Sequence, residues 1–462
     1  MVMGSKIQQN KRNQMSLKPA KSFSLRSVTD FFNTEYVNWG SYDNLRKIGS
    51  LVDGQKNAAR KVLWYTLQKN QKNEIKVSQL DSKVAESEEY LHGSMVGVIV
   101  NLAKDYPGSN NMNLMYPEGN FGTRLIPEAS AGRYIYSYGT NEFFDVFSKD
   151  DNAILNHQTF EGNNIEPVFM LPKLPMLLIN GSEGVTSGYA QKILPRDPKE
   201  LNKYLRYYLN KPDAVRKPFQ NKPYFKGFNG TVEQGETNKQ WLIKGAFTRK
   251  ANKVFITELP IGYNLKSYIK VLDKLEDLKK ITSYDDKSQD DFKFVVHFNR
   301  KQLDSLSDDK LMEYLKLTKK VSELYTVMDQ NNKVQTFDNI NDIFWAYFQV
   351  KMEYLAKRKV HLIGSITQDI KLMISKYTFI KGIIDDTIVI TKRPTEDIIK
   401  NLENTPRILK VDDSFDYLLN MSIRMMTEER TAKLVQQIKD AKVQLDFTKS
   451  ATPEMMWMSD LD

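Results

Sequence analysis

The sequence predicts an α+β multidomain protein: a winged-helix domain, then an α/β domain, then an antiparallel coiled-coil arm with a small helical tip. Three observations predict it. At 462 residues the chain exceeds the size at which one hydrophobic core stops growing, so two to four domains are expected. Its middle alternates short apolar runs with Gly, Pro and Asp, the texture of strands joined by tight turns. Its last third carries two stretches of apolar residues stepping by three and four, separated by a compact segment.

The elements follow in order. Residues 1–22 are polar and basic, without periodic apolar positions, and are expected to form a disordered arm. The winged-helix domain, expected over 23–165, opens with the amphipathic segment SVTDFFNTEYVNWG. From Leu51 to Lys69 the pattern is helical, with Ala58, Val62, Leu63 and Leu67 on one face and Arg60, Lys61 and Lys69 between them. A second helix is expected from Met95 to Leu102, broken by DYPGSNN. Short basic helices followed by Gly-rich turns and strand-like runs suit a helix-turn-helix or winged-helix module, a pattern that helical bundles of many functions share. Between Glu118 and Arg133 the chain is rich in Gly, Ala and Ser, as in a loop that approaches something closely, and RYIYSYG reads as the strand after it.

Over 166–332 the runs FMLPKLPMLLING, WLIKGAFTRK, KVFITELPIG and FKFVVHF are expected to build the α/β domain, with helices at DKLEDLKKI and DKLMEYLKL. Over 333–462, Ile343, Tyr347, Val350 and Tyr354 form one helical seam, and Leu434, Ile438, Ala441 and Leu445 form the other. A pair of ordinary surface helices would show the same steps. The final SATPEMMWMSDLD is expected to be a plain tail.

Composition excludes several classes of chemistry. There is no cysteine, which rules out disulfides, thiolate zinc sites and cysteine nucleophiles. The four histidines, His92, His157, His297 and His361, form no local ligand pair, so no self-contained metal centre is expected. No GxxxxGK[ST] loop is present, and ATP hydrolysis by this chain alone is not expected. No run approaches the ~18 apolar residues that cross a bilayer, and the first twenty residues lack a secretory pattern. The net charge of +10 attracts polyanions, although many basic proteins never touch nucleic acid.

Four clusters could carry chemistry. NLRKIGSLVDGQKNAARKVL sets Arg46, Lys56, Arg60 and Lys61 around a D-G turn; EYLHGS places His92 before Gly93; EGNFGTRL contains Arg124; ASAGRYIYS contains Arg133 and Tyr134. Each alone is weak, since an Arg-Tyr pair is ordinarily a surface feature and a lone histidine ordinarily satisfies a local hydrogen bond. Together they supply the parts of a phosphoryl-transfer site. Tyr134 would be the nucleophile, because a phenol oxygen can form a phosphate ester and leave again. A phenol ionises only near pH ~10, so such a nucleophile needs cationic neighbours or a metal. Arg133 would grip a non-bridging oxygen, and Arg46, Lys56 and His92 would add charge around the transition state. Whether His92 hydrogen-bonds the phosphate or shuttles a proton stays open.

These segments resemble the breakage-reunion part of type IIA DNA topoisomerases, in layout most like the separate medium subunit of the T-even phage enzymes. DNLRKIGSLVDGQKNAARKVLW looks like the family's DNxRxIPSxVDGLKPxQRKVL, and IKVSQLDSKVAESEEYLHG like its helix-turn-helix ending in His-Gly. ASAGRYIYS takes the place of AASPRYIF, LPKLPMLLINGSEGVTSGYA resembles IPIIPMVLINGAEGIGTGW, and ITELPIG recurs in the family's tower domain. The motifs cover residues 35–262 in order. The resemblance implies a winged-helix DNA-gate domain, a tower domain over 166–332 and a coiled-coil arm with a dimerising C-gate. It implies that Tyr134 joins a 5′ phosphate, one tyrosine per protomer, with Arg133 beside it and Arg46, Lys56 and His92 around the scissile phosphate. Arg60, Lys61 and Arg124 complete the expected DNA-contacting set, and Leu174, before Pro175, takes the place of an isoleucine that wedges between bases.

Partners follow from the same resemblance: duplex DNA, a second copy of the chain, and a heteromeric partner subunit binding ATP and Mg²⁺. No membrane is involved, and a cytoplasmic setting (the host's, for a phage protein) is expected. Ile48-Gly49-Ser50 and Asn57 depart from the family's prolines, and Gly132 replaces the proline before Arg-Tyr, which should loosen that loop. The alternative reading is a catalytically silent DNA-binding architectural protein on the same scaffold.

Overall fold

The computed structural model describes residues 27–219 and 221–462; the basic arm expected over 1–22 lies outside them. A helix capped by the Ser27 side chain starts at Val28, passes through a π-helical turn at Phe32–Tyr36 and continues as α1, Val37–Lys47. Helix α2, Asn57–Gln68, starts later than the periodicity suggests. Residues 51–55 turn instead, because the Asp53 carboxylate accepts the Gln55 N–H at 2.9 Å. Gly54, at φ 70°, sits where a Cβ would come within 2.7 Å of the Leu177 amide.

Strand β1, Ile75–Lys76, leads into α3, Val77–Ser87, and α4, Val96–Ala103. Val62, Leu63, Leu80, Val84 and Ile99 from α2, α3 and α4 are fully buried in one core. Strands β2, Met115–Glu118, and β3, Tyr136–Gly139, complete a three-stranded antiparallel sheet in the order β1–β3–β2. This is the expected winged-helix arrangement. A hairpin of β4, Ser182–Val185, and β5, Ala190–Ile193, packs beside the start of α2.

The middle of the chain forms β6 (Thr231–Gln234), β7 (Gln240–Lys244), β8 (Ala246–Lys250), β9 (Lys253–Glu258), helix α5 (Leu265–Asp277), β10 (Ser283–Asp286), β11 (Phe294–His297) and β12 (Thr318–Ser322). They assemble as a β12–β7–β6 sheet and a β8–β9–β11–β10 sheet. Tyr268, Leu272 and Leu275 of α5 cover Val254, Ile256, Phe294 and Val296 of the second sheet. The α+β multidomain class predicted from the texture of the sequence is the observed one.

Helix α6 runs 45 residues, Ile340–Ile384. A tip containing α7, Thr395–Asn404, packs its own core of Phe379, Ile388, Ile398, Leu402, Phe415 and Leu418. Helix α8, Glu428–Ser450, returns antiparallel: Lys359 near the base bonds the Ala451 carbonyl, while Ile374 and Val435 line one groove farther out.

Two expectations change here. Ile343, Tyr347, Val350 and Tyr354 do not pair with α8 but sink into the N-terminal core, where the Tyr347 hydroxyl donates to the Pro172 carbonyl at 2.8 Å. The final segment is not a plain tail but helix α9, Pro453–Leu461, capped by Thr452. Trp457 is 0% exposed, donates its indole N–H to the Lys173 carbonyl at 2.9 Å and lies 5.9 Å from the Tyr347 ring. Burying an indole contributes on the order of 3 kcal/mol, which ties the last helix to the main core.

Candidate active site

Tyr134 sits on a turn that the backbone pins on both sides. Its N–H donates to the Ala131 carbonyl at 2.9 Å; the Gly132 carbonyl accepts the Ser78 N–H at 3.1 Å and the Ile135 carbonyl accepts the Val77 N–H at 3.0 Å. Both anchors lie at the N-terminus of α3, and Ile135 is buried beneath them. Gly132 lies inside this turn. It is buried, and a Cβ there would press within 3.1 Å of Val96, so glycine permits the close approach. Held between buried neighbours, the Tyr134 ring is 67% exposed. The Arg133 guanidinium lies 4.8 Å from its centroid, and among the described residues the phenol oxygen has no hydrogen-bond partner.

A second group lies at the end of α1. Arg46 is exposed, its guanidinium 5.6 Å above the Tyr42 ring, and the Tyr42 hydroxyl is hydrogen-bonded to Nε2 of exposed His92. The Lys47 side chain holds Asp43 at 2.7 Å, and this bond lowers the Asp43 pKa against the opposing effect of burial. Lys56, half-buried, donates to the Glu183 carbonyl of β4 at 2.6 Å. Burial pushes its pKa down, and the Glu183 carboxylate offsets part of that. Among the described residues no hydrogen bond, ion pair or ring contact joins Arg133–Tyr134 to Arg46, His92 or Lys56.

The other expected DNA contacts stand differently. Arg60 is 6% exposed and faces inward, its Nε 2.7 Å from Asp53, whose carboxylate also accepts the Met170 N–H at 2.9 Å. Burial works against the charge, but Asp53 overcomes it and leaves the Arg60 pKa raised. Lys61, equally buried, pairs with Glu166 at 2.7 Å and donates to the Glu88 carbonyl. In this conformation both are engaged with carboxylates of the main core and neither stands free toward solvent, unlike Arg46. Arg124 donates to the carbonyls of Leu259 at 2.8 Å and Tyr263 at 3.1 Å, bridging the Gly-rich loop to the second domain. Leu174 is half-buried against the main core. Gly49 shows why no proline stands there: its N–H donates to Gln191 at 2.8 Å, and a Cβ would come within 2.6 Å of Ser182. Sequence reasoning missed Tyr42, although its spacing of four from Arg46 on one helix face was a usable signal.

Residues 46–462 match the family model for the A-type subunit of DNA gyrase/topoisomerase IV. The chain belongs to this family. It is 31% identical over 454 residues to DNA topoisomerase 2, mitochondrial, of Dictyostelium discoideum, covering 95% of this chain and 35% of that protein. It is 28% identical over 492 residues to DNA topoisomerase 2 of Saccharomyces cerevisiae, covering 94% and 34%. The chain thus spans about a third of the length of these relatives. Its fold is similar to the crystal structure of the Plasmodium falciparum topoisomerase II DNA-binding, cleavage and re-ligation domain, with a TM-score of 0.85 and 28% identity over 94% of this chain and 63% of that one. Among the described residues of this topoisomerase-family chain, no group of three or more His, Asp or Glu could hold a metal ion. No helix among them is long and apolar enough to cross a membrane.

Proposed function

We propose that this chain is the DNA-cleaving and religating subunit of an ATP-dependent type II topoisomerase, and that Tyr134 is its nucleophile. The observation that carries the reading is the exposed phenol beside a guanidinium on a turn pinned at both ends. Such a turn presents an oxygen in fixed position to a chain too large to enter a cavity. The Tyr134 oxygen bonds to a backbone phosphorus, the bond from phosphorus to the 3′ oxygen breaks, and the phenol proton is released as a free 3′ hydroxyl forms. Religation is the reverse, so no phosphodiester energy is lost. Arg133 binds a non-bridging oxygen, exposed Arg46 and half-buried Lys56 add positive charge, and His92 supplies a hydrogen bond or a proton relay beside them. Two strands of opposite polarity need two symmetry-related tyrosines, hence a homodimer.

Mg²⁺ and ATP are assigned, on the family resemblance, to a partner subunit, and no step above runs through them. Support for a docked partner comes from Phe31, Phe32, Tyr36 and Trp39, which stand 40–51% exposed along the helix leading into the site. The same reading includes boundaries at 22/23, 165/166 and 332/333, a subunit layout like the T-even phage medium subunit, a Leu174 wedge and a cytoplasmic setting. The test mixes the chain with labelled duplex, Mg²⁺ and the partner and quenches with detergent. Protein-linked DNA is expected from the wild type and none from Tyr134→Phe; adducts from the variant would move the nucleophile elsewhere.

A further inference from the structure

We propose that Tyr42 is a positioning residue for the cleavage site: its hydroxyl donates to His92 Nε2, places the imidazole proton on Nδ1, and so makes His92 a hydrogen-bond donor to the phosphate. The inference deepens the reading of the site given above and rests on it. It also decides between the two roles that the sequence leaves open for His92.

The geometry begins on α1. Tyr42 and Arg46 are four residues apart and share a face, and the Arg46 guanidinium lies 5.6 Å over the Tyr42 ring. The His92 ring is 5.7 Å from the Tyr42 ring and 5.8 Å from the Tyr90 ring, so the imidazole is flanked by two aromatics. Little else holds it. His92 lies on the irregular connection between α3 and α4, exposed, ahead of Gly93 at φ 91° with open space around it. Among the described residues the Tyr42 hydroxyl is the sole hydrogen-bond partner of its side chain.

The chemistry follows from the inventory of donors. A phenol can donate its O–H or accept, and an imidazole with one proton accepts only at the nitrogen that lacks it; we assign the donor role to the phenol. When Nε2 accepts from Tyr42, the proton resides on Nδ1, and Nδ1–H is the group left free. A nitrogen already carrying a proton cannot take the Tyr134 proton, but it can donate to a phosphate oxygen gaining charge in the transition state. Tyr42 thereby ties two of the expected cationic positions into one unit: the hydroxyl orients His92 and the ring face orients Arg46. At 45% exposed, Tyr42 is not a core residue, so the fold has no evident need of its hydroxyl.

The experiment uses Tyr42→Phe, which keeps the ring under Arg46 and removes only the hydroxyl. With partner and Mg²⁺ present, covalent-complex formation should slow on the order of 10-fold at unchanged DNA affinity. In a His92→Gln background Tyr42→Phe should cost nothing further, since the hydroxyl acts through the imidazole. A readout independent of catalysis is the imidazole ¹⁵N spectrum of the full chain labelled at its four histidines, with His92 assigned through His92→Gln. Wild type should show the Nδ1–H tautomer, and Tyr42→Phe should move His92 toward Nε2–H. A tautomer that Tyr42→Phe leaves unchanged, or additive rate losses in the double variant, would overturn the proposal. If wild type itself forms no adduct, the reading of the site falls instead, and the ¹⁵N spectrum still decides whether Tyr42 sets the imidazole.

Discussion

The turn at Arg133–Tyr134 and the inner face of α2 present the same residue types in opposite roles. On the turn, a guanidinium and a phenol stand in solvent, held by backbone hydrogen bonds to α3 and without a carboxylate partner among the described residues. On α2, Arg60 and Lys61 are buried and each is matched to a carboxylate within 2.7 Å. The contrast recurs at the base of the arm, where buried Arg358 pairs with Asp151 at 2.7 Å and Asp460 at 2.8 Å. A cation with a buried acid beside it serves the packing of the fold, whereas one left without an acid is available to a polyanion. Charge counted along the sequence does not separate the two.

The comparison can be broken at its strongest point first. Tyr134→Phe should remove all covalent attachment to DNA while duplex affinity and melting temperature stay within error of wild type; a large loss of stability would mean the turn is structural. Arg60→Ala comes next. It strands Asp53 in the core and should destabilise the fold by about 3–5 kcal/mol in urea unfolding. The slope of log Kd against log salt should not change, whereas Arg46→Ala should reduce that slope by about one contact with little effect on stability. A reduced slope for Arg60→Ala would return it to the DNA surface.

Arg133→Ala should slow cleavage on the order of 100-fold, about 3 kcal/mol of transition-state stabilisation, with affinity nearly unchanged. An unaltered rate would remove Arg133 from the chemistry. The smallest effect concerns Lys351, fully buried 3.6 Å from Asp151. Burial pulls its pKa down from 10.5 to about 8 despite that neighbour. Between these values the unfolded chain binds the proton and the folded chain does not, so the contribution of Lys351 to stability rises as pH rises through the window. From pH 8 to 10 the wild type should gain on Lys351→Met by on the order of 1–3 kcal/mol, and parallel unfolding curves would show that the amine keeps its proton.

Much of this was readable in advance, for identifiable reasons. Tyr134 and its neighbours lie in short contiguous motifs, and the helices of the winged-helix domain and arm declare themselves by period. The burial of Arg60 and Lys61 was not legible because one acid, Glu166, lies far along the chain, although Asp53 in the adjacent D-G turn was in view. The last helix was missed because its core contact, Trp457 against Lys173 and Tyr347, is made across the whole molecule. Only the Thr452-Pro453 start hinted at it. The pairing of β9 with β11 ahead of β10 likewise depends on tertiary packing that periodicity does not encode.

The most direct test of the central claim is to trap the covalent complex with partner, Mg²⁺ and duplex, digest the protein, and locate the attached nucleotide by mass spectrometry. The account predicts a 5′-phosphate on the peptide containing Arg133 and Tyr134, esterified to the phenol oxygen of Tyr134. Attachment at any other residue, or through a 3′-phosphate, would contradict it.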